Sequence, residues 1–113
     1  MKATLRKDGA VLVEHVELAL RLRERMKGLL GRRSLGVGRA LYLSPCNSVH
    51  TFFMRFPLDL VFLDRALVVR RVLRNVPANR IVWGGPGARS VLEVEAGWLS
   101  EGSLKPGDRV ELG

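Results

Sequence analysis

One short run decides most of what this chain can become. From Leu58 to Leu63 the sequence reads Leu-Asp-Leu-Val-Phe-Leu, apolar everywhere except Asp59, with Pro57 and Asp64 at its ends. A run this short, bounded by turn-forming residues, reads as a buried strand. Period-two alternation places Leu58, Leu60 and Phe62 on one face and Asp59, Val61 and Leu63 on the other. Asp59 then stands at the start of a core strand, where a carboxylate is costly unless it is paired or hydrogen-bonded. Arg55, four residues upstream across the bend at Pro57, is the partner expected from the sequence.

The run closes a longer stretch, residues 45–64, that holds the single cysteine and one of the two histidines. Cys46 and His50 are four apart, a spacing that can bring both side chains to one face. A thiol beside an imidazole can form the thiolate–imidazolium pair of cysteine enzymes. That reading makes Cys46 the nucleophile and His50 the base of an acyl-transfer or hydrolytic enzyme, and it requires an oxyanion donor as well. Metal binding is not expected. A structural zinc site takes four ligands, and Cys46, His50 and one carboxylate fall short of that. The plainer role for Cys46 is that of a small buried hydrophobe.

That enzyme is the alternative; the preferred reading is a binding module whose pocket beside residues 46–59 takes a small anionic ligand or a partner's chain terminus. Arg55 would face a pocket and recognise an anionic ligand while Asp59 holds it in place, with Arg25 adding charge. Phe53 and Met54 would form part of an apolar wall, and Glu93 could reach the same pocket. No cofactor is implied.

The block Cys46-Asn-Ser-Val-His50-Thr51-Phe-Phe-Met54-Arg-Phe-Pro57-Leu58-Asp59, followed by Val61-Phe62-Leu63-Asp64, resembles the signature of the uncharacterised family called domain of unknown function 192. Upstream, Glu24-Arg25 with Gly28-Leu29-Leu30 and Arg32 is similar to that family's helix motif. Downstream, Val91-Leu92-Glu93 with Ala96-Gly97, then Gly107-Asp108-Arg109-Val110, is similar to its C-terminal pattern. The resemblance runs from about Val16 to Val110. It implies a mostly β domain and carries no activity with it.

The rest of the chain supports that class. Thr4–Arg6 and Val11–Glu14 flank Asp8-Gly9, a two-residue hairpin signal. In the second strand Val13, His15 and Glu17 alternate with Glu14, Val16 and Leu18, and His15 reads as a surface residue. Leu18, Leu22, Met26 and Leu29 have helical spacing, which predicts a helix over about 19–30 that stops at Gly31. Ala40–Leu43 reads as a strand. Arg65-Ala66 turns Leu58–Leu63 back into a strand reaching about Asn75, whose alternation is imperfect. Residues 77–88 are the weakest segment for regular structure, with a glycine-rich loop at 84–87. Arg89–Val94 and Arg109–Leu112 read as strands, and residues 97–104 as a short helix packing Trp98 and Leu99 inward. The sum is one domain of 113 residues, a mainly β sandwich or partly closed barrel of about seven short strands.

Charge suggests a third class. The formal net charge is +8 and the pI about 11.0, which favours polyanionic partners. Between Asp64 and Glu93 there is no acid, while Arg65, Arg70, Arg71, Arg74, Arg80 and Arg89 all fall there. Arg70, Arg71, Arg74 and Arg80 with Trp83 on its glycine loop could form a nucleic-acid groove with one stacking platform. Residues 84–87 lack the Lys and Ser/Thr of a phosphate loop. The arginine weighting and absence of glutamine fit a thermophile. Met1–Ala10 has no apolar core and no run approaches about 18 apolar residues, so a cytoplasmic protein without a membrane segment, monomeric or homodimeric, is expected.

Overall fold

A computed structural model describes residues 2–19, 38–52, 54–100 and 102–113. Among these are nine strands: β1 (Lys2–Lys7), β2 (Ala10–Ala19), β3 (Arg39–Leu43), β4 (Ser48–His50), β5 (Leu58–Leu63), β6 (Val69–Val76), β7 (Ile81–Trp83), β8 (Ser90–Glu95) and β9 (Glu111–Leu112). Seven form one curled sheet in the order β6-β5-β8-β3-β2-β1-β9, and β4 and β7 form a second sheet of two strands. Within the large sheet only β2 and β3 run parallel.

The large sheet is a half-barrel whose outermost strands meet at one corner. A bridge joins Val68 to Arg109. Val69 donates its N–H to the Asp108 carbonyl (2.7 Å), and Gly107 and Val110 donate theirs to the carbonyls of Val69 (2.8 Å) and Leu67 (3.0 Å). The expected partly closed barrel is therefore the architecture found. The long edges that would otherwise invite pairing with another chain are drawn together there.

β5 lies second from one edge and is buried along its whole length. Its two faces feed two separate cores, as its alternation requires. Leu58, Leu60 and Phe62 pack with Leu41, Leu43 and Val91, and the small sheet covers this layer with Val49 and Val82. Val61 and Leu63 face the other way, into the curl, with Leu5, Val13, Leu92 and Val110. The molecule thus combines a half-barrel with a local sandwich.

The hairpin at Asp8-Gly9 forms as expected, both residues taking positive φ (52° and 80°), the requirement of a type I′ turn. Alternation in β2 does not survive intact. Leu5 pairs with Val13 and Ala3 with Val16, so Glu14 and His15 together oppose Thr4 in a bulge. This rephasing lets Val13 and Val16 both face the same core while His15 stays on the surface. The segment 77–88, expected to be irregular, contributes β7, which gains order by pairing with β4.

The helices need separate comment. Residues 20–30 of the first lie outside the described residues, and Ala19, its expected start, is the last residue of β2. The short helix expected over 97–104 is corrected by the structure. That segment is a pair of turns, with Trp98 N–H donating to the Glu95 carbonyl (3.1 Å) and Ser103 N–H to that of Ser100 (3.0 Å). Gly97 and Gly102 take φ of 85° and 78°, which a right-handed helix does not allow. Its inward packing holds: Leu99 and Leu104 are buried, and Trp98 packs against them.

Two tests follow from this packing. Gly84 has no room for a side chain, because a Cβ there would overlap the Phe62 ring and the Ala88 methyl group. Gly84→Ala is expected to cost about 1–3 kcal/mol, as overpacked cores do, read as a lowered urea midpoint. At the closing corner, Lys7 Nζ donates to Asp108 Oδ2 (2.8 Å) and so does the Lys105 backbone N–H (3.0 Å). These donors, Lys7 first, hold the Asp108 carboxyl below its ordinary value. A carboxyl depressed in the folded state adds stability above its unfolded value and loses it as pH falls through the folded value. Asp108→Asn should therefore unfold more easily at neutral pH, and its urea midpoint should decline less steeply than the wild type's on acidification.

Candidate functional site

Asp59 is the most constrained polar residue of the signature stretch. It is 2% exposed, and three donors converge on its carboxylate. Arg74 Nη1 donates to Oδ2 at 3.1 Å, the Asn75 N–H to Oδ1 at 2.7 Å, and the Gly97 N–H to Oδ2 at 3.3 Å. The expected partner, Arg55, is exposed and is not among them. The correction has a physical cause in the β5–β6 register. Leu58 pairs with Val76 and Leu60 with Leu73, so one residue of β5, Asp59, faces two of β6, Arg74 and Asn75. At such a bulge the ladder is interrupted, and Asn75 takes φ of 55°. Its N–H then turns to the Asp59 side chain, and the Arg74 guanidinium comes with it. A partner across the strands prevails over one upstream around Pro57.

The same pair organises a cleft. Arg74 also donates from Nη1 to the Leu99 carbonyl (2.9 Å) and from Nη2 to that of Ser100 (3.1 Å), tying the turn after β8 to β6. The Ala96 N–H donates to the Pro57 carbonyl (3.1 Å) on the same side. Between these segments an open cleft of about 590 Å³ is lined by Pro57, Asp59, Arg74, Asn75, Gly97 and Ser100, among others. It lies at the end of the 46–59 stretch. The cation is the member of the pair that faces outward: the Arg74 side chain is 33% exposed and that of Asp59 is 2%.

The other expected site residues divide. Cys46 sits before β4, partly buried against the core, and its Sγ donates to the Ser48 carbonyl at 3.0 Å. His50 ends β4 with its ring stacked on Phe52, centroids 5.4 Å apart, and its Nδ1 has no hydrogen-bond partner among the described residues. The thiol proton is thus directed at a backbone carbonyl. Met54 packs against the core beside Cys46. Glu93 is buried in β8, flanked by Leu41 of β3 and Leu60 of β5. Arg25 and Phe53 lie outside the described residues. No group of three or more His, Cys, Asp or Glu side chains suited to a metal occurs among the described residues.

The arginines expected to act as one basic surface are divided between sites. Arg74 belongs to the Asp59 cleft. Arg80 has its guanidinium at the carbonyls of Ala78 and Asn79, at 3.5 and 3.4 Å. Arg71 Nη1 donates to the Trp83 carbonyl at 2.6 Å. Arg70 and Arg71 share a second open cleft of about 510 Å³ with Trp83 and the Gly84-Gly85-Pro86 loop. Asn75, Gly97 and Ser100 were not expected in any site. Asn75 carries no chemical signature, and its role comes from a backbone N–H freed by the bulge. Thr51 also went unnoticed: its hydroxyl donates to the Pro77 carbonyl (2.7 Å) and accepts from the Arg80 N–H (2.9 Å), fixing β4 to the start of β7.

With this geometry in view, comparison with known proteins places the chain. The family model for DUF192, described as an uncharacterized ACR, matches residues 3–112. The chain belongs to this family. No curated protein matches it. Among solved structures, a DUF192 chain of this form is similar to a protein of unknown function from Novosphingobium aromaticivorans. The TM-score is 0.80 at 25% identity, covering 97% of this chain and 83% of that one. It is also similar in fold to a protein from Sinorhizobium meliloti 1021 provisionally described as a transcription regulator. There the TM-score is 0.80 at 23% identity, over 98% of this chain and 92% of that one. The half-barrel is thus shared. No helix among the described residues is long and apolar enough to cross a membrane.

The two candidate partners of Asp59 are separable by mutation. Asp59→Ala leaves the Arg74 guanidinium and two backbone N–H groups without their acceptor and should cost about 3 kcal/mol or more. Arg55→Ala, at an exposed position, should stay within about 0.5 kcal/mol of wild type. Urea unfolding of both variants checks this.

Proposed function

We propose that this DUF192 chain is a small binding module whose ligand enters the cleft between Pro57, Asn75 and Ser100 and presents a carboxylate or phosphate to Arg74. One observation carries the reading: Asp59 is buried and Arg74 is not, so the pair turns only its cation toward the opening. A planar guanidinium already fixed by Asp59 and two carbonyls loses little further freedom on binding, which favours recognition of a carboxylate or phosphate. Pro57, Ala96 and Leu99 add apolar wall, the usual composition of a small-ligand site. A small anionic metabolite and the terminal carboxylate of a partner chain share this chemistry. The charge assigned in the sequence to Arg55 passes to Arg74.

The test is a ¹⁵N–¹H NMR titration with inorganic phosphate and, separately, with a short peptide bearing a free C-terminal carboxylate. The amide signals of Asn75, Gly97 and Ser100 should shift saturably with at least one of them. Arg74→Lys keeps the charge but loses the planar fork, and should weaken binding while leaving the folded spectrum recognisable. Shifts spread over the arginine-rich surface and unchanged in Arg74→Lys would defeat the reading.

A further inference from the structure

The small sheet carries apolar surface that the fold does not use. β7 turns Val82 into the core and leaves Ile81 and Trp83 outward, 74% and 56% exposed. Register places Ser48 opposite Trp83 and His50 opposite Ile81. The His50 ring continues the surface through its stack on Phe52, itself 37% exposed. One tryptophan, one isoleucine and a stacked His–Phe pair thus lie along a two-stranded sheet. The hydrophobic effect opposes leaving such groups in water, so their exposure calls for another explanation.

Cations flank this row. At the Trp83 end stand Arg70 and Arg71. β6 is bulged there as well: Phe62 pairs with Arg71 and Leu63 with Val69, so Arg70 is the extra residue and both arginines turn to solvent. At the Ile81 end stands Arg80, exposed. The cleft joining Arg70 and Arg71 to Trp83 has no carboxylate among its lining residues. Of the nearby acids, Asp64 accepts from the Ala66 and Val68 N–H groups and forms a long ion pair with Arg70 (3.9 Å), and Asp108 is bonded to Lys7.

The platform is also held rigidly. Arg71 fixes the Trp83 carbonyl, and the Gly84 N–H donates to the Asn47 carbonyl at 2.8 Å. Gly84 itself is wedged against Phe62 and Ala88. Trp83 therefore stands on a backbone anchored on both sides, and little freedom remains to be lost when something stacks on it.

We infer that this face binds single-stranded nucleic acid, with a base stacked on Trp83 and the flanking phosphates met by Arg70, Arg71 and Arg80. The partner is chosen by the pairing of exposed rings with solvent-facing guanidinium groups, of which Arg70 has only a long, 3.9 Å ion pair to Asp64. A duplex hides its base faces, and a sulfated polymer has none, so neither would use the tryptophan. Stacking is indifferent to base identity, so the binding tolerates sequence. This surface is distinct from the Asp59 cleft, and each can fail without the other.

The test is fluorescence anisotropy with a fluorescein-labelled oligothymidine of twelve nucleotides, the matching duplex and dextran sulfate. The single strand should bind more tightly than the duplex. Its affinity should fall with salt at a log–log slope of about −0.7 per phosphate met, so about −1.4 to −2.1 for two or three contacts. Trp83→Ala should weaken oligothymidine by about fivefold or more and leave dextran sulfate unchanged, while Trp83→Phe should largely restore binding. Arg70→Ala should lessen the slope by about 0.7. Thermal melting confirms that each variant is folded, which these exposed positions allow. No binding at low salt, a flat salt dependence, or a Trp83→Ala variant that binds oligothymidine as wild type does would each overturn the inference. So would equal losses for oligothymidine and dextran sulfate.

Discussion

The carboxylate of Asp59 is the interaction on which the rest of the site depends. An ionised carboxylate inside a β layer is tolerated only when its lone pairs are satisfied, and here three donors from two different segments do so. Its partners lie on β6 and on the turn after β8, the two neighbours of β5 in the sheet. The group therefore joins three successive portions of the half-barrel at one end and sets the position of Arg74. Without it, the guanidinium would have no reason to stand at the cleft, and the Leu99 and Ser100 carbonyls would lose their shared donor.

One strand supplies both candidate surfaces by the same device. β6 contains two bulges, and each falls where an arginine is needed away from the regular alternation. The bulge at Arg70 turns two consecutive arginines toward Trp83, and that at Arg74 and Asn75 turns a guanidinium and a backbone N–H toward Asp59. A regular strand of this length would have put Arg70 and Arg74 on one face and Arg71 on the other. Burial along β6 instead reads buried at Val69 and Val76, with four exposed and two partly buried residues between them. Bulges that re-aim side chains are a recurrent feature next to functional sites.

Much of this was legible in the sequence. The β5 run announced itself through composition and length, and its two faces carry the residues that alternation assigned to them, although they feed two cores rather than one. The Asp8-Gly9 turn, β3 and β8 followed from local signals, because each rests on short-range chemistry. What was not legible depended on pairing. A bulge has no local signature, so the alternation of β6 looked merely imperfect, and Asp59 was assigned to Arg55 on chain proximity. The partner of Asp59 lies fifteen residues away on a neighbouring strand. The short helix expected over 97–104 is ruled out by the positive φ of Gly97 and Gly102, which no local apolar pattern announces. β7 was passed over because three residues gain strand character only from β4 beside them. The arginines, grouped by their crowding in the sequence, separate in space because the bulges aim them at different targets.

The two candidate surfaces differ in chemistry in a way that composition alone would blur. One is a neutralised ion pair with its cation outward, suited to a small or terminal anion. The other is an aromatic row with solvent-facing arginines around it. The account rests on Asp59 and Arg74 acting as one unit, and a double-mutant cycle between them tests this most directly. Asp59→Asn, Arg74→Gln and the double variant, each unfolded in urea, should show a coupling free energy of about 1–3 kcal/mol. Additivity within about 0.5 kcal/mol would mean that the two side chains contribute independently, and would contradict the account.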